Sequence, residues 1–289
     1  MTFFLQLIVS GIIVGGLYAL LGLSIVMIYK ATGIFNFATG ELMGMGMFLC
    51  WTFIEIGIAP WISIIAALAL LALLGWLINR AVLASLIGHP MIVLVVATFA
   101  LVFILKGVMQ LFWPTKLGIY PRFLPGETVE MGPLMLSPEL LWTFIISMIV
   151  FGLTVLLFQR SRIGLAMRAT HDNQVLAQIR GISVKKIFDF TWAIGAMICA
   201  VGGIFLAYRI GVNYFVPTMG LFVIPAILLG GLDSIPGVIV GGIALGLILS
   251  LTSGFLSPEL SSIMPYIVLM IVLIFKTEGL FGSKRIERI

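Results

Sequence analysis

Long apolar stretches, separated by short segments that contain polar residues, Pro or Gly, run along the whole sequence. A helix needs about 20 mainly apolar residues to cross the hydrocarbon core of a membrane. Six stretches of sufficient length lie at about 4–29, 34–57, 61–84, 91–113, 138–158 and 187–210. A seventh, about 213–254, carries Asp233 as its only charged residue and is too long for one span, so we predict two segments there. A last span is predicted at about 260–275.

This pattern predicts an all-α, polytopic integral membrane protein with nine membrane segments, or eight if 213–231 only re-enters the membrane. Composition supports the prediction: 62% of the 289 residues are hydrophobic and only 9% are charged. Soluble proteins are typically about 25% charged and about 45–50% apolar. A cytosolic enzyme is therefore excluded.

The charges indicate how the chain is oriented. Segment 159–186 holds six Lys or Arg residues against the single acid Asp172, and the positive-inside rule places it in the cytoplasm. The tail from Lys276 onward, with four basic and two acidic residues, is also predicted inside. Loop 114–137 has no positive excess and is predicted outside, as is the N-terminus. The net charge of +5 thus reflects membrane orientation, and we expect no nucleic-acid partner.

Residues that could carry chemistry are few. The GxxxxGK[ST] phosphate-binding loop is absent, and segment 279–284 has the wrong spacing for one. Cys50 and Cys199 lie inside apolar runs, and the two histidines are too few for a His-based metal site. We therefore predict no catalytic residue, no metal site and no cofactor bound by this chain.

The basic segment 159–186 is more than a connector. It contains good helix formers, apolar positions at Leu165, Met167, Val175, Leu176 and Ile179, and Gly181 where a helix would stop. Short cytoplasmic helices are predicted. Such helices could seat in a groove of a soluble partner, or they could lie on anionic lipid, and the residue pattern alone leaves both open.

Two polar breaks interrupt the apolar segments. Asn36, Thr39 and Glu41 bring an amide, a hydroxyl and a carboxylate to the apolar layer, where an ionisable group is a functional candidate. They could mark a broken helix that lines a transport pathway, or simply cap a helix at the interface. The second break consists of Gly230, Gly231, Asp233, Pro236 and Gly237, for which a turn near the cytoplasmic face is the plainer alternative. Lys106 and Arg209, in or near apolar segments, could meet an anionic substrate, but we favour snorkelling to the interface for both.

Several motifs together resemble the membrane permeases of branched-chain amino acid ABC importers, the LivH type. NFATGE at 36–41 is similar to the family's NFAxGE box. GLAMRA at 164–169, followed by GISV at 181–184, is similar to its cytoplasmic coupling segment, which faces the ATPases. GGLDSIPG at 230–237 and EGLFG at 278–282 resemble two further motifs, and all stand in the family's order along nearly the whole chain.

This resemblance implies a single permease domain over 1–289, with its coupling loop at about 159–186. The implied partners are a second, related permease, two ATP-binding-cassette ATPases that bind the ATP, an extracytoplasmic substrate-binding protein and membrane lipid. It favours ATPase docking over lipid contact for the loop. The residues it implies for ATPase coupling are Arg162, Gly164, Met167, Arg168, Ala169 and Gly181, and those for the pathway are Asn36, Thr39 and Glu41.

The implied function is import of branched-chain amino acids across the inner or plasma membrane of a bacterium or archaeon, without catalysis by this chain. Thr39, Leu165 and Asp233 depart from the family's usual residues. The departure at Thr39 leaves urea, short amides and aromatic or alicyclic acids as alternative substrates. From another class, an ion-coupled carrier or channel would have to use Glu41, Asp233 or Lys106 as its ion site.

Overall fold

The computed structural model describes residues 2–114, 117–126, 128–131 and 134–282, and these residues are almost entirely helical. The helices are α1 (Thr2–Thr32), α2 (Thr39–Glu55), α3 (Pro60–Ala81), α4 (Met91–Phe112), α5 (Pro138–Arg160), α6 (Arg162–Asp172), α7 (Gln174–Ile179), α8 (Val184–Ile210), α9 (Phe215–Gly230), α10 (Ile235–Phe255), α11 (Pro258–Ser261) and α12 (Met264–Phe275). A 3₁₀ helix follows α3 at Leu83–Leu86. One antiparallel hairpin joins β1 (Val129–Met131) to β2 (Leu134–Leu136), with Val129 opposite Leu136. The predicted all-α class is confirmed.

Seven helical stretches of the described chain are long and apolar enough to cross a membrane, so this is a multi-pass membrane protein. They are Thr2–Thr32, Pro60–Leu86, Ile92–Phe112, Pro138–Arg160, Val184–Ile210, Ile235–Phe255 and Pro258–Phe275. The other two predicted segments correspond to α2 and α9, with 17 and 16 residues. At about 1.5 Å per residue both are shorter than the ~30 Å hydrocarbon core. The predicted eight or nine segments are therefore an approximate count.

Some charges used to predict the orientation lie outside the described residues. These are Lys116 and Glu127 of loop 114–137, and Lys284, Arg285, Glu287 and Arg288 of the tail. The sidedness of the termini stays a prediction.

The chain forms two compact units. The first contains residues 1–26, 124–149 and 222–289, and in it α1 packs closely against α10. A Cβ atom at Gly15 would lie 2.6 Å from the Ile243 Cα atom, and one at Gly246 would overlap the Gly11 carbonyl oxygen. Ser250 also donates a 2.7 Å hydrogen bond to the Leu7 carbonyl. Small residues thus permit the close helix approach that their spacing predicts. The predicted single permease domain stays a prediction.

The second unit contains residues 27–123 and 150–221, and α8 packs there against both α2 and α3. A Cβ atom at Gly203 of α8 would overlap the Met43 carbonyl of α2. A Cβ atom at Gly75 of α3 would likewise overlap the carbonyl of Trp192, whose side chain is fully buried in α8. The three helices therefore meet backbone to backbone, which fixes the position of α2.

The segment after α4 is held within this second unit by hydrogen bonds to Val212, which follows α8, and to α2. Gly118 and Val212 exchange hydrogen bonds of 3.0 and 2.7 Å between their amides and carbonyls. The Tyr120 hydroxyl donates a 2.7 Å hydrogen bond to the Met47 carbonyl of α2. Burial raises the pKa of the Tyr120 phenol well above its ordinary value, so the hydroxyl keeps the proton that it donates.

Candidate functional site

The first polar break separates α1 from α2. Residues 33–38 are not helical, and Gly33 has a φ of +75°. The Thr98 hydroxyl donates a 3.1 Å hydrogen bond to the carbonyl of Phe35 within this break. Because Thr98 is the eighth residue of the 22-residue α4, the break lies beside the central part of a membrane-spanning helix. Irregular backbone at such a depth occurs where it is buried in protein or lines a water-filled cavity.

Asn36 and Thr39 are buried and stabilise the turn into α2. The Asn36 side-chain oxygen accepts a 3.0 Å hydrogen bond from the Ala38 amide, and the Thr39 hydroxyl donates a 2.9 Å bond to the Asn36 carbonyl. The Asn36 side-chain nitrogen has no partner among the described residues. These bonds order the turn that leads into α2, but neither side chain caps the helix, whose N-cap residue is Ala38 without a side-chain cap hydrogen bond. Their predicted place in the pathway stays a prediction.

Glu41 lines a cavity of about 220 Å³ in the second unit. The cavity is formed by the break and first turn of α2, by one face of α4 and by the first turns of α9. Its lining residues are Phe37, Gly40, Glu41, Phe99, Val102, Phe103, Lys106, Pro217, Thr218, Gly220 and Leu221. The volume is far larger than the roughly 10–15 Å³ that one water requires, so the cavity has room for several water molecules.

Lys106, for which the sequence favoured snorkelling to the interface, is the second charged residue of this cavity. It lies six residues before the end of α4, which is about 9 Å along a helix axis. The spacing of Phe99, Val102, Phe103 and Lys106 places them on one face of α4. The sequence marked both Glu41 and Lys106 as candidate ion sites but could not bring them together, because they are 65 residues apart.

Glycines bring α2 and α9 together beside the cavity. A Cβ atom at Gly40 would overlap the Pro217 carbonyl oxygen, and one at Gly220 would lie 2.5 Å from the Gly40 Cα atom. A Cβ atom at Gly44 would lie 2.6 Å from the Pro217 ring. These contacts fix the start of α2 and thereby the position of Glu41.

The basic segment forms the short helices α6 and α7 that its sequence predicts. The Ser161 hydroxyl caps α6 by accepting a 2.9 Å hydrogen bond from the Gly164 amide. Asn173 caps α7 by accepting a 2.9 Å bond from the Leu176 amide. Gly181, with a φ of +84°, follows the end of α7, where a left-handed residue is typical.

The residues predicted for ATPase coupling do not form one surface. Gly164 and Met167 are buried within the chain. Arg168 donates a hydrogen bond to the Phe158 carbonyl, and its guanidinium carbon lies 5.5 Å from the centre of the Phe158 ring. Ala169 is half-buried, whereas Arg162 and Gly181 are exposed. Gly164 and Arg168 are therefore placed to hold α6 against the end of α5.

The exposed residues of α6 and α7 include several large apolar side chains. Leu165, Val175, Leu176 and Ile179 are 60%, 67%, 54% and 75% exposed. We call these four residues the exposed apolar set. Their apolar type within a basic segment was visible in the sequence, but only the structure separates them from the buried Met167. Such exposed apolar residues are typical of interaction sites.

The second polar break contacts the tail motif within the first unit. The Leu280 amide donates a 2.8 Å hydrogen bond to the Leu229 carbonyl, and the Phe281 amide donates a 3.1 Å bond to the Gly230 carbonyl. Gly231 has a φ of +104°, and a Cβ atom there would lie 2.5 Å from the Gly282 amide nitrogen. The two motifs, far apart in sequence, thus form one structural element.

The remaining predicted residues of this break build a turn and a helix start. Pro236 stands in the first turn of α10, and the Ser234 hydroxyl accepts a 3.1 Å hydrogen bond from the Gly237 amide. Asp233 is half-buried in the same turn. The described residues contain no group of three or more His, Cys, Asp or Glu side chains that could hold a metal ion.

The family model for the permease component of branched-chain amino acid transport systems matches residues 7–273. The chain belongs to this family. It is 27% identical to the high-affinity branched-chain amino acid transport system permease protein BraD of Pseudomonas aeruginosa, over 99% of this chain and 98% of that protein. It is 28% identical to the LivH permease of Salmonella typhimurium, with the same coverage. A probable branched-chain amino acid transport permease of Methanocaldococcus jannaschii is also 28% identical, over 98% and 95%.

No solved structure matches the chain. Membership in the family makes this protein a membrane-spanning permease component of a transport system. A permease component works with other subunits of its system, and the relatives named above are transport proteins, not enzymes.

Proposed function

We propose that this chain forms half of the translocation pathway of an ATP-driven importer for branched-chain amino acids. The observation that carries the proposal is the similarity to permeases of that substrate class over nearly the full length of both chains. In this proposal the chain binds no nucleotide and catalyses no reaction. Two ATPase subunits supply the energy, and an extracytoplasmic binding protein delivers the substrate.

The cavity supports a pathway beside α2 and α4. Phe103 is 63% exposed, and Lys106 on the same face of α4 is also exposed. A lysine this far inside a membrane-spanning helix is costly against lipid, and such residues normally face a partner or a water-filled space. A second, related permease facing this surface would enclose a path for a small solute.

The arrangement of α6 and α7 supports coupling to cytoplasmic ATPases. The exposed apolar set offers side chains that can enter a groove of a soluble partner. Arg168 holds α6 against the end of α5, and His171 of α6 lies beside Tyr29 of α1, so a movement of the partner would be transmitted to α5 and α1. Alternating access would follow as the ATPases open and close.

The proposal also assigns the basic segment and both termini to one side of the membrane or the other. The basic segment with α6 and α7 faces the cytoplasm, the N-terminus faces outward, and the tail lies inside, as the distribution of Lys and Arg predicts. The membrane is the inner or plasma membrane of a bacterium or archaeon.

Two experiments test the function together. Purification of the tagged chain from its native membrane in mild detergent should recover two ATPase subunits and a related permease, as identified by mass spectrometry. Deletion of the chain should abolish uptake of radiolabelled leucine, and the plasmid-borne chain should restore it. Recovery of the chain alone, with leucine uptake that a protonophore blocks, would favour an ion-coupled carrier. Retained leucine uptake with lost urea or amide uptake would overturn the substrate class.

A further inference from the structure

The cavity beside α2 carries one acidic and one basic side chain, Glu41 and Lys106. No salt bridge within 4.0 Å joins the two in the described structure. The Lys106 charge acts on Glu41 through space without a direct contact, so a ligand that carries both signs can bind between the two side chains. A free α-amino acid has one ammonium and one carboxylate group, and both interactions are stronger in a site of low dielectric than in water.

The remainder of the cavity is apolar and rich in aromatic rings. Phe37 and Phe99 meet edge to face with centroids 6.0 Å apart, and Phe99 and Phe103 do so at 5.5 Å. Val102 and Leu221 add aliphatic surface. Burial of a branched aliphatic side chain against such walls is favourable because it removes apolar surface from water.

Polar side chains other than these two charges are scarce. Thr218 supplies the remaining side-chain hydroxyl of the lining. Urea or a short amide has several donors and acceptors, and a mainly apolar wall would leave most of them unpaired. The lining therefore matches an apolar amino acid better than these alternatives.

We propose that Glu41 and Lys106 recognise the two charges of the transported amino acid, with Glu41 accepting hydrogen bonds from its ammonium group and Lys106 donating to its carboxylate. The three phenylalanines, Phe37, Phe99 and Phe103, hold the aliphatic side chain. This inference rests on the proposed import function and assigns substrate contact to Lys106 and to the α4 face.

The test uses the purified transporter complex without its binding protein. Equilibrium dialysis measures the binding of three radiolabelled compounds: leucine, 4-methylpentanoate, which lacks the ammonium group, and 3-methylbutylamine, which lacks the carboxylate. The variants are Glu41→Gln and Lys106→Met. The matched control is Gln110→Met, because Gln110 is an exposed residue one turn further along α4 and outside the cavity.

The two variants should have opposite selectivity. Lys106→Met should weaken the binding of leucine and of 4-methylpentanoate at least about tenfold, because one charged hydrogen bond is lost. The binding of 3-methylbutylamine should not change. Glu41→Gln should weaken the binding of leucine and of 3-methylbutylamine and leave the binding of 4-methylpentanoate unchanged. Equal weakening of all three compounds, no weakening, or no saturable binding of millimolar leucine to the wild-type complex would overturn the assignment. Failure of the import function itself would show separately, as retained leucine uptake in the deletion strain.

Discussion

The side-chain amide of Asn79 in α3 donates a 2.7 Å hydrogen bond to the carboxylate of Asp189 in α8. Asp189 is only 7% exposed. Its second carboxylate oxygen lies 3.4 Å from a guanidinium nitrogen of Arg80, whose side chain is 58% exposed. A buried carboxylate depends on its hydrogen bonds, whereas an exposed ion pair is screened by water. The hydrogen bond from the Asn79 amide should therefore contribute more to the stability of the fold than the ion pair with Arg80 does.

Replacing Asn79 with Leu should lower the free energy of unfolding by about 1–3 kcal/mol, because the Asp189 carboxylate loses its buried donor. Arg80→Gln should lower the free energy of unfolding by only about 0–1 kcal/mol. Thermal unfolding of both variants in detergent, compared with the unchanged chain, measures the difference. A larger loss for Arg80→Gln than for Asn79→Leu would show that the ion pair dominates.

Gly40 should not tolerate a methyl group. In Gly40→Ala the new Cβ atom would overlap the Pro217 carbonyl oxygen, which is backbone and must move together with α9. Overpacking of this kind costs about 1–3 kcal/mol, and it would displace Glu41 from the cavity. We expect leucine uptake to fall at least about tenfold, since misplaced binding groups act strongly on transport.

Gly107→Ala is the matched control for Gly40→Ala. Gly107 lies inside α4, next to Lys106, and a Cβ atom there would meet nothing within 4 Å. Alanine favours a helix over glycine by about 1 kcal/mol, so the variant should remain stable and active. Equal losses of uptake in both variants would contradict the role of the α2–α9 contact.

The helices of this protein could be predicted because length and hydropathy alone define a membrane segment. The short length of α2 could not be predicted, because the break at 33–38 is stabilised by Thr98, which is more than 60 residues away in the sequence. Lys106 was expected to snorkel as a residue near a helix end. The structure places it on a cavity wall with Glu41 because α2 and α4 lie side by side, which no local pattern encodes.

The residues predicted for ATPase coupling also show that a local sequence pattern does not predict which side chains the fold buries. A motif marks Gly164, Met167 and Arg168 as important, but motif and periodicity do not distinguish a residue that holds a helix from one that contacts a partner. In the structure Met167 is fully buried, whereas Leu165 is 60% exposed. The difference depends on which face of α6 is turned toward the chain, and α6 contacts the ends of α1 and α5 through His171 and Arg168.

Arg168 should be required for coupling but not for ATPase attachment. Arg168→Met removes the hydrogen bond to the Phe158 carbonyl and the cation–π contact with its ring. Hydrogen bonds of charged groups contribute about 1.5–3 kcal/mol and cation–π contacts about 0.5–1 kcal/mol. The ATPases should still co-purify, while substrate-stimulated ATP hydrolysis and leucine uptake should fall several-fold. Arg160→Met, at an exposed residue of α5, is the control, and loss of the ATPases from the Arg168 variant would instead indicate direct contact.

Ile179 and Leu176 should be required for attachment itself. They are 75% and 54% exposed, so Ile179→Glu and Leu176→Glu should change the free energy of unfolding by no more than about 0.5 kcal/mol. A carboxylate buried against an apolar groove would lack a partner, and the ATPases should be lost on affinity purification. The control is Leu117→Glu, at a residue that is 78% exposed and outside α6 and α7.

A lipid-binding role for α6 and α7 predicts a different outcome for these variants. The added negative charge would then reduce binding of the complex to anionic vesicles, in a salt-dependent manner, and the ATPases would remain attached. Measuring vesicle binding and ATPase recovery on the same preparations separates the two roles. Because the basic residues of the segment are unchanged in both variants, retained vesicle binding with lost ATPases would assign the exposed apolar set to the protein partner.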